Sequence, residues 1–238
     1  ALEEKPDVIL CGFSAYPFPV DFAEFKVIAD LVNAKLMVDM SHIAGLVAAD
    51  CHQNPCEFAD IVTTTTHKTL RGPRGGLILW NNEKYTKAIN SAVFPYTQGG
   101  PLEHVIAAKA VCFEEALQPE FNEYISLVIR NTKFCMEVLG DHNYGSVRGE
   151  NTHMFLLETR LSYGLTGKEA QNLLEEAGIT VNKNMLPGDK LNPSETSGIR
   201  IGFAALTTRG CDEEQAQEIG KLIHDDIRKK IMPIEAKE

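Results

Sequence analysis

Apolar residues recur along the first third of the chain in two patterns. Unbroken runs stand at Asp7–Gly12 (Asp-Val-Ile-Leu-Cys-Gly), at Lys35–Asp39 and at the β-branched stretch Asp60–Thr65. Between the first two, from Asp21 to Asn33, apolar residues fall at 22, 25, 28, 29 and 32. The runs predict strands and the spaced stretch a helix, because residues three or four apart share one helical face. A strand, helix and strand in so short a span form a βαβ unit with a right-handed crossover. Continuous rather than alternating apolar character predicts strands covered on both faces. Gly76–Trp80 follows the third run after a loop too short for a crossover helix, so that pair is expected to be antiparallel.

Helical spacing returns over Leu102–Leu117 and Glu120–Leu139, with Pro119 interrupting, and a domain boundary is placed there. Residues 1–118 then make one domain and 119–238 a second. The second contains an expected strand at His153–Glu158 and a helix at Lys168–Ala177 ended by Gly178. Strands follow near Ile179–Val181 and at Gly198–Ile201, and a final helix runs from Asp212 to about Lys230. The fold class read from this order is α/β with a mostly parallel sheet, followed by a smaller α+β domain.

Charge narrows the partners. With 23 Lys plus Arg against 33 Asp plus Glu, the 238 residues carry a net charge of -10, opposite to what phosphate-backbone binding requires. No apolar stretch is long enough to span a bilayer, and the first residues lack the regions of a signal peptide, so a soluble, cytoplasmic protein is expected. Six scattered cysteines lack zinc-site or disulfide spacing and read as reduced, buried thiols.

Candidate chemistry gathers where ligands bind in open α/β sheets, beyond the carboxyl ends of the strands. Asp39 ends an apolar run, where a carboxylate needs a cation or buried donors, although loop amides alone could satisfy it. His42 follows and could equally be a plain loop histidine. The segment Thr63 to Gly76 places Lys68 after four threonines and holds three cations and no acid. Facing water is the ordinary use of such a loop, but hydroxyl groups and neighbouring cations around Lys68 are expected to lower its pKa and leave it able to form an imine. A metal held by Asp39, His42 and His67 has the wrong spacing. Gly99 and Gly100, before a helix, could offer amides to an anion or simply form a turn. Arg200 sits inside an apolar strand and needs a carboxylate or phosphate, whether of a ligand or of a structural ion pair.

Taken together, these segments resemble the serine hydroxymethyltransferase family. The carrying residues are Val38–Leu46, Thr63–Gly76, Gln98–Leu102, Leu165–Ala170, Gly178–Asn184 and Thr196–Gly202, in family order over nearly the whole chain. The resemblance implies the pyridoxal-phosphate, aspartate-aminotransferase-like fold (fold type I), with residues 1–118 as half of its cofactor-binding domain. It implies that Lys68 carries pyridoxal 5'-phosphate and that Asp39 pairs with the ring nitrogen. His42 and Ser14 would contact the phenolic oxygen and imine region, and His67 the phosphate side. Thr65 and Arg74 would order the pocket, and Arg200 would clamp the amino-acid carboxylate. Gly99 and Gly100 would bind the cofactor phosphate of a neighbouring subunit in a homodimer or tetramer, and Asn184 would approach the folate. The implied reaction moves the serine hydroxymethyl carbon to tetrahydrofolate.

Family chains are much longer at the N-terminus. The tyrosine–glutamate pair, the Ser-Gly-Ser phosphate loop and the histidine that stacks on the ring are outside this sequence, so the isolated chain is expected to be poorly active. Pro17-Phe18-Pro19 and Ser194-Glu195 also depart from the family pattern. A folate-independent β-hydroxy amino acid aldolase, or a non-catalytic chain used for dimerisation, are the competing readings.

Overall fold

The computed structural model describes residues 1–141, 147–150 and 152–235. The chain divides into two compact units, one of residues 1–14 and 19–125, the other of residues 15–18 and 126–238.

The first unit is built on a four-stranded sheet of β1 (Val8–Cys11), β2 (Lys35–Asp39), β3 (Ile61–Thr65) and β4 (Gly76–Leu79), in that order. The first two pairings are parallel and β3–β4 is antiparallel, as the short connection requires. Helix α1 (Phe22–Leu31) crosses from β1 to β2, and Asp21 caps it by accepting from the Glu24 amide at 3.1 Å. Short α2 (Ala44–Ala48), α3 (Thr86–Ser91), α4 (Glu103–Ala116) and the start of α5 (Pro119–Asp141) complete the unit. Pro119 occupies the first helical position, where its missing N–H costs nothing.

Side chains alternate across this sheet. Ile9, Cys11, Leu36, Val38, Val62 and Thr64 share the more buried face, whereas Val8 and Leu10 of β1 are 51% and 66% exposed. The expectation of strands covered on both faces is therefore corrected. Unbroken apolar runs record what both faces can bury, but the described helices of this unit leave one face half open. Asp39, Thr63 and Thr65 lie on that open face.

The second unit has an antiparallel sheet in the order β5 (Val147–Arg148), β6 (Met154–Glu158), β8 (Gly198–Gly202) and β7 (Asn182–Asn184). Helices α6 (Arg160–Tyr163), α7 (Gly167–Glu176), α8 (Ala204–Thr208) and α9 (Glu213–Glu235) accompany it, together with the later turns of α5. Leu139, Phe155, Leu157, Leu174, Ile199, Phe203 and Ile223 form its fully buried core. Thr166 and Glu169 exchange hydrogen bonds at the start of α7, and Asp212 and Gln215 do the same before α9.

The strand expected near Ile179–Val181 is shifted to Asn182–Asn184. Ile179 and Val181 pack into the core directly after α7, and pairing with β8 begins only once the chain has turned along it, at Asn182 opposite Arg200. Burial, rather than ladder formation, accounts for their apolar character.

Candidate active site

The carboxyl ends of β2 and β3 set the site. Asp39 lies opposite Thr63 in the ladder, and its Oδ2 accepts from Thr63 Oγ1 at 3.1 Å while Oδ1 accepts from the Ser41 amide at 2.9 Å. Partial burial pushes the Asp39 carboxyl up, but the bonds from Ser41 and Thr63 and the charge of Lys68 outweigh it and hold the group below its usual range. Each oxygen accepts one of these bonds, and a carboxylate can take more, so lone pairs remain for another donor. Cys11, in the adjacent strand, is inert by contrast, with burial pushing its thiol up to about 11. All six cysteines are free.

Lys68 follows β3, and its Nζ donates to Thr65 Oγ1 at 3.1 Å. The four threonines do not all surround the amine, as the sequence had suggested, because strand side chains alternate. Thr63 turns to Asp39 and Thr65 to Lys68. Thr64 and Thr66 are buried, and Thr66 Oγ1 donates to the Pro73 carbonyl at 2.5 Å. The Thr66 carbonyl in turn accepts from the Gly72 amide at 2.7 Å, so Thr66 closes the lysine loop on itself.

Three further latches tie this loop to the Asp39 turn. Ser41 Oγ accepts from the Thr65 amide at 3.0 Å, Thr69 Oγ1 donates to the His42 carbonyl at 3.1 Å, and the Gly45 amide donates to Thr69 Oγ1 at 2.9 Å. Two glycines permit the approach. A Cβ on Gly45 would lie 2.6 Å from the Thr69 carbonyl oxygen. One on Gly12, whose φ is +147°, would strike the Asp39 carbonyl.

The cations of the loop are not merely solvated. Arg71, held at φ +60°, places its guanidinium 3.9 Å from the Tyr124 ring centroid and 5.6 Å from that of Phe121. Arg74 Nη1 lies 3.4 Å from His67 Nε2, and the Gly75 amide donates to His67 Nδ1 at 3.3 Å. Slight burial, with the charges of Arg74 and Lys68, lowers the His67 pKa.

A carboxylate kept anionic thus lies within the field of a lysine, beyond the carboxyl ends of adjacent parallel strands. The serine hydroxymethyltransferase family model matches residues 1–223. Serine hydroxymethyltransferase 1 of Pseudomonas aeruginosa is 57% identical over 226 residues, 94% of this chain and 54% of that protein.

The chain belongs to the serine hydroxymethyltransferase family.

It spans about half the length of the relative it matches. Of the residues singled out in this family member's sequence, the structure joins Asp39, Thr65, Lys68, His67 and Arg74 in one cluster, with the His42 backbone latched to it. Ser14 lies exposed beyond β1. Gly99 and Gly100 lie on an exposed turn before α4, with nothing within 4 Å of where a Cβ would stand. Arg200 and Asn184 belong to the second unit, on β8 and β7. Arg200 is half-buried, which lowers its guanidinium from the usual value, and its Nη2 donates to Asn182 Oδ1 at 3.2 Å.

Two positioning groups are given no role by the sequence alone, Ser41, which merely follows Asp39 at the expected crevice, and Thr69. Ser41 stands two residues after an aspartate, the spacing of an Asx turn, and that signal could have found it. Thr69 has no local signature, because its partners are 24 and 27 residues away. Among the described residues no group of His, Cys, Asp and Glu could hold a metal, and no helix is long and apolar enough to cross a membrane.

Proposed function

We propose that the chain carries the cofactor-lysine and substrate-arginine portion of a serine hydroxymethyltransferase. The enzyme transfers the hydroxymethyl carbon of serine reversibly to tetrahydrofolate, giving glycine and 5,10-methylenetetrahydrofolate. The observation that carries this reading is the Asp39 carboxylate, held anionic by Ser41 and Thr63 within the field of Lys68. These residues fit pyridoxal 5'-phosphate: an acceptor with spare lone pairs for a protonated ring nitrogen, and a primary amine to hold the aldehyde carbon.

When bound, that cofactor supplies an electron sink for charge developing at the amino-acid carbon. Asp39 keeps a proton on the ring nitrogen, because its depressed pKa leaves the proton on the partner. Lys68 would hold the cofactor's aldehyde end through its amine, and Thr65 orients its Nζ. His67, its pKa lowered by slight burial and the neighbouring cations, helps hold the phosphate side as a neutral hydrogen-bonding group, and Arg74 beside it orders the pocket with Thr65. His42 and Ser14 would hold the cofactor on its phenolic-oxygen side. Arg200 grips the amino-acid carboxylate with its planar fork, and Asn184 faces the folate. Gly99 and Gly100 offer amides to the phosphate of a neighbouring subunit, so the working assembly is a homodimer or a tetramer, located in the cytoplasm.

Adding pyridoxal phosphate, reducing with borohydride and mapping the modified peptide tests this. Stoichiometric label on Lys68 is the expected result. Label scattered over surface lysines such as Lys84 and Lys133 would overturn the assignment.

A further inference from the structure

β7 is only three residues long and, among the described residues, lies at the edge of its sheet with β8 as its one partner. Such an edge has little intrinsic hold on its register, yet two residues of the proposed substrate side depend on it. Asn182 stands opposite Arg200 and accepts from its guanidinium at 3.2 Å, and Asn184 stands opposite Gly198. Something outside the ladder must fix the strand. On its outer edge, Gln171 of α7 accepts from the Lys183 amide at 2.8 Å.

The larger hold is Asp189, in the first half of the connection from β7 to β8. Its Oδ1 accepts from the Leu191 amide at 2.9 Å and from Ser197 Oγ at 2.8 Å. Its Oδ2 accepts from the Ser197 amide at 2.8 Å and from the Leu186 amide at 3.4 Å. One carboxylate thus gathers both ends of the connection, Leu186 just after β7 and Ser197 just before β8. The far end is pinned again from α7, where Lys168 Nζ meets Glu195 Oε1 at 3.0 Å and the Gly167 amide donates to the Thr196 carbonyl at 3.0 Å.

We propose that Asp189 is a positioning residue that clasps the β7–β8 connection, keeping Asn182 on the Arg200 guanidinium and Asn184 presented beside it. Its substrate meaning rests on the proposed function, in which Arg200 receives the amino-acid carboxylate. Charge-assisted bonds to a carboxylate are about twice as strong as neutral ones, so no neutral residue of this size replaces all four. Asparagine keeps the volume and one acceptor oxygen, and alanine keeps neither.

The test uses the whole chain and follows phenylglyoxal modification of Arg200 by mass spectrometry, with exposed Arg209 as internal reference. Freed from Asn182, Arg200 of Asp189→Ala is expected to react about fivefold faster or more, with Asp189→Asn intermediate and Arg209 unchanged. Hydrogen exchange should rise over residues 182–186 in the same variants. An unchanged Arg200 rate in both variants overturns the proposal. If the alanine variant does not fold, the asparagine variant decides. Serine separates the two claims, because it should slow Arg200 modification in the unaltered chain. In the variants more serine should be needed, with borohydride labelling of Lys68 unchanged. Absence of any serine protection would contradict the substrate reading alone, since the rate comparison needs no ligand.

Discussion

The Asp39–Lys68 cluster and the Arg200 strand solve the same problem, holding a charged group in place, by different means. The first sits on the half-open face of a small sheet and is assembled from short-range latches: Ser41 to Thr65, Thr69 to His42 and Gly45, Thr66 to its own loop. The second projects from a strand whose neighbours Ile199 and Ile201 are buried in a packed core, with β6 fully buried alongside. Position in the first is therefore a matter of hydrogen bonds and close backbone approach. In the second it is a matter of register and packing.

Breaking the packed region should have the largest effect. Phe203→Ala empties a fully buried site in the second core and is expected to cost about 3–5 kcal/mol, read as a lower urea midpoint. A loss below about 1 kcal/mol would show that β8 is not held by that core. In the latched region the equivalent step is Gly45→Ala, whose methyl must displace the Thr69 backbone. It should cost about 1–3 kcal/mol and reduce labelling of Lys68 by pyridoxal phosphate and borohydride.

A purely electrostatic change sharpens the contrast. Asp39→Asn keeps the shape and removes the charge, so labelling of Lys68 should need roughly tenfold more cofactor, a charged hydrogen bond being worth about 1.5–3 kcal/mol. It should leave the Arg200 region untouched. The pH dependence has a definite sign. The Asp39 pKa is lower in the folded chain than its unfolded value of about 3.9, so the unfolded chain binds more protons in that window. The stabilisation is complete above the unfolded value and is lost as pH falls through the lowered folded one. Acid melts should show this loss in the unaltered chain and a flatter profile in Asp39→Asn. The smallest expected effect is that of Arg71→Ala, which removes an exposed cation–π contact worth about 0.5–1 kcal/mol and is measured by thermal melting.

The same contrast explains what could be read from the sequence. The strands β2 and β3 and the antiparallel return of β4 were legible because β-branched and apolar runs of the right length were bounded by turns. Asp39 and Lys68 were legible because charged groups at strand ends demand a reason. Coverage of the sheet was not, since an apolar run states what a face prefers to bury and not which element buries it. Four threonines in a row looked equivalent until the strand's two-residue period sent Thr63 and Thr65 to one side and Thr64 to the other, with Thr66, just past the strand, buried in the lysine loop. The strand at Asn182–Asn184 was displaced because Ile179 and Val181 owe their character to the core. Thr69 and the Asp189 clasp stayed hidden, since each acts on a fold already made.

The central claim is that Asp39 and Lys68 hold one ring between them, the carboxylate at its nitrogen. Comparing pyridoxal phosphate with its 1-deaza analogue, in which carbon replaces that nitrogen, tests it most directly. The unaltered chain should bind the true cofactor more tightly than the analogue, and Asp39→Asn should lose most of that preference. Equal affinity for both ligands in the unaltered chain, or a preference that survives the substitution, would contradict the account.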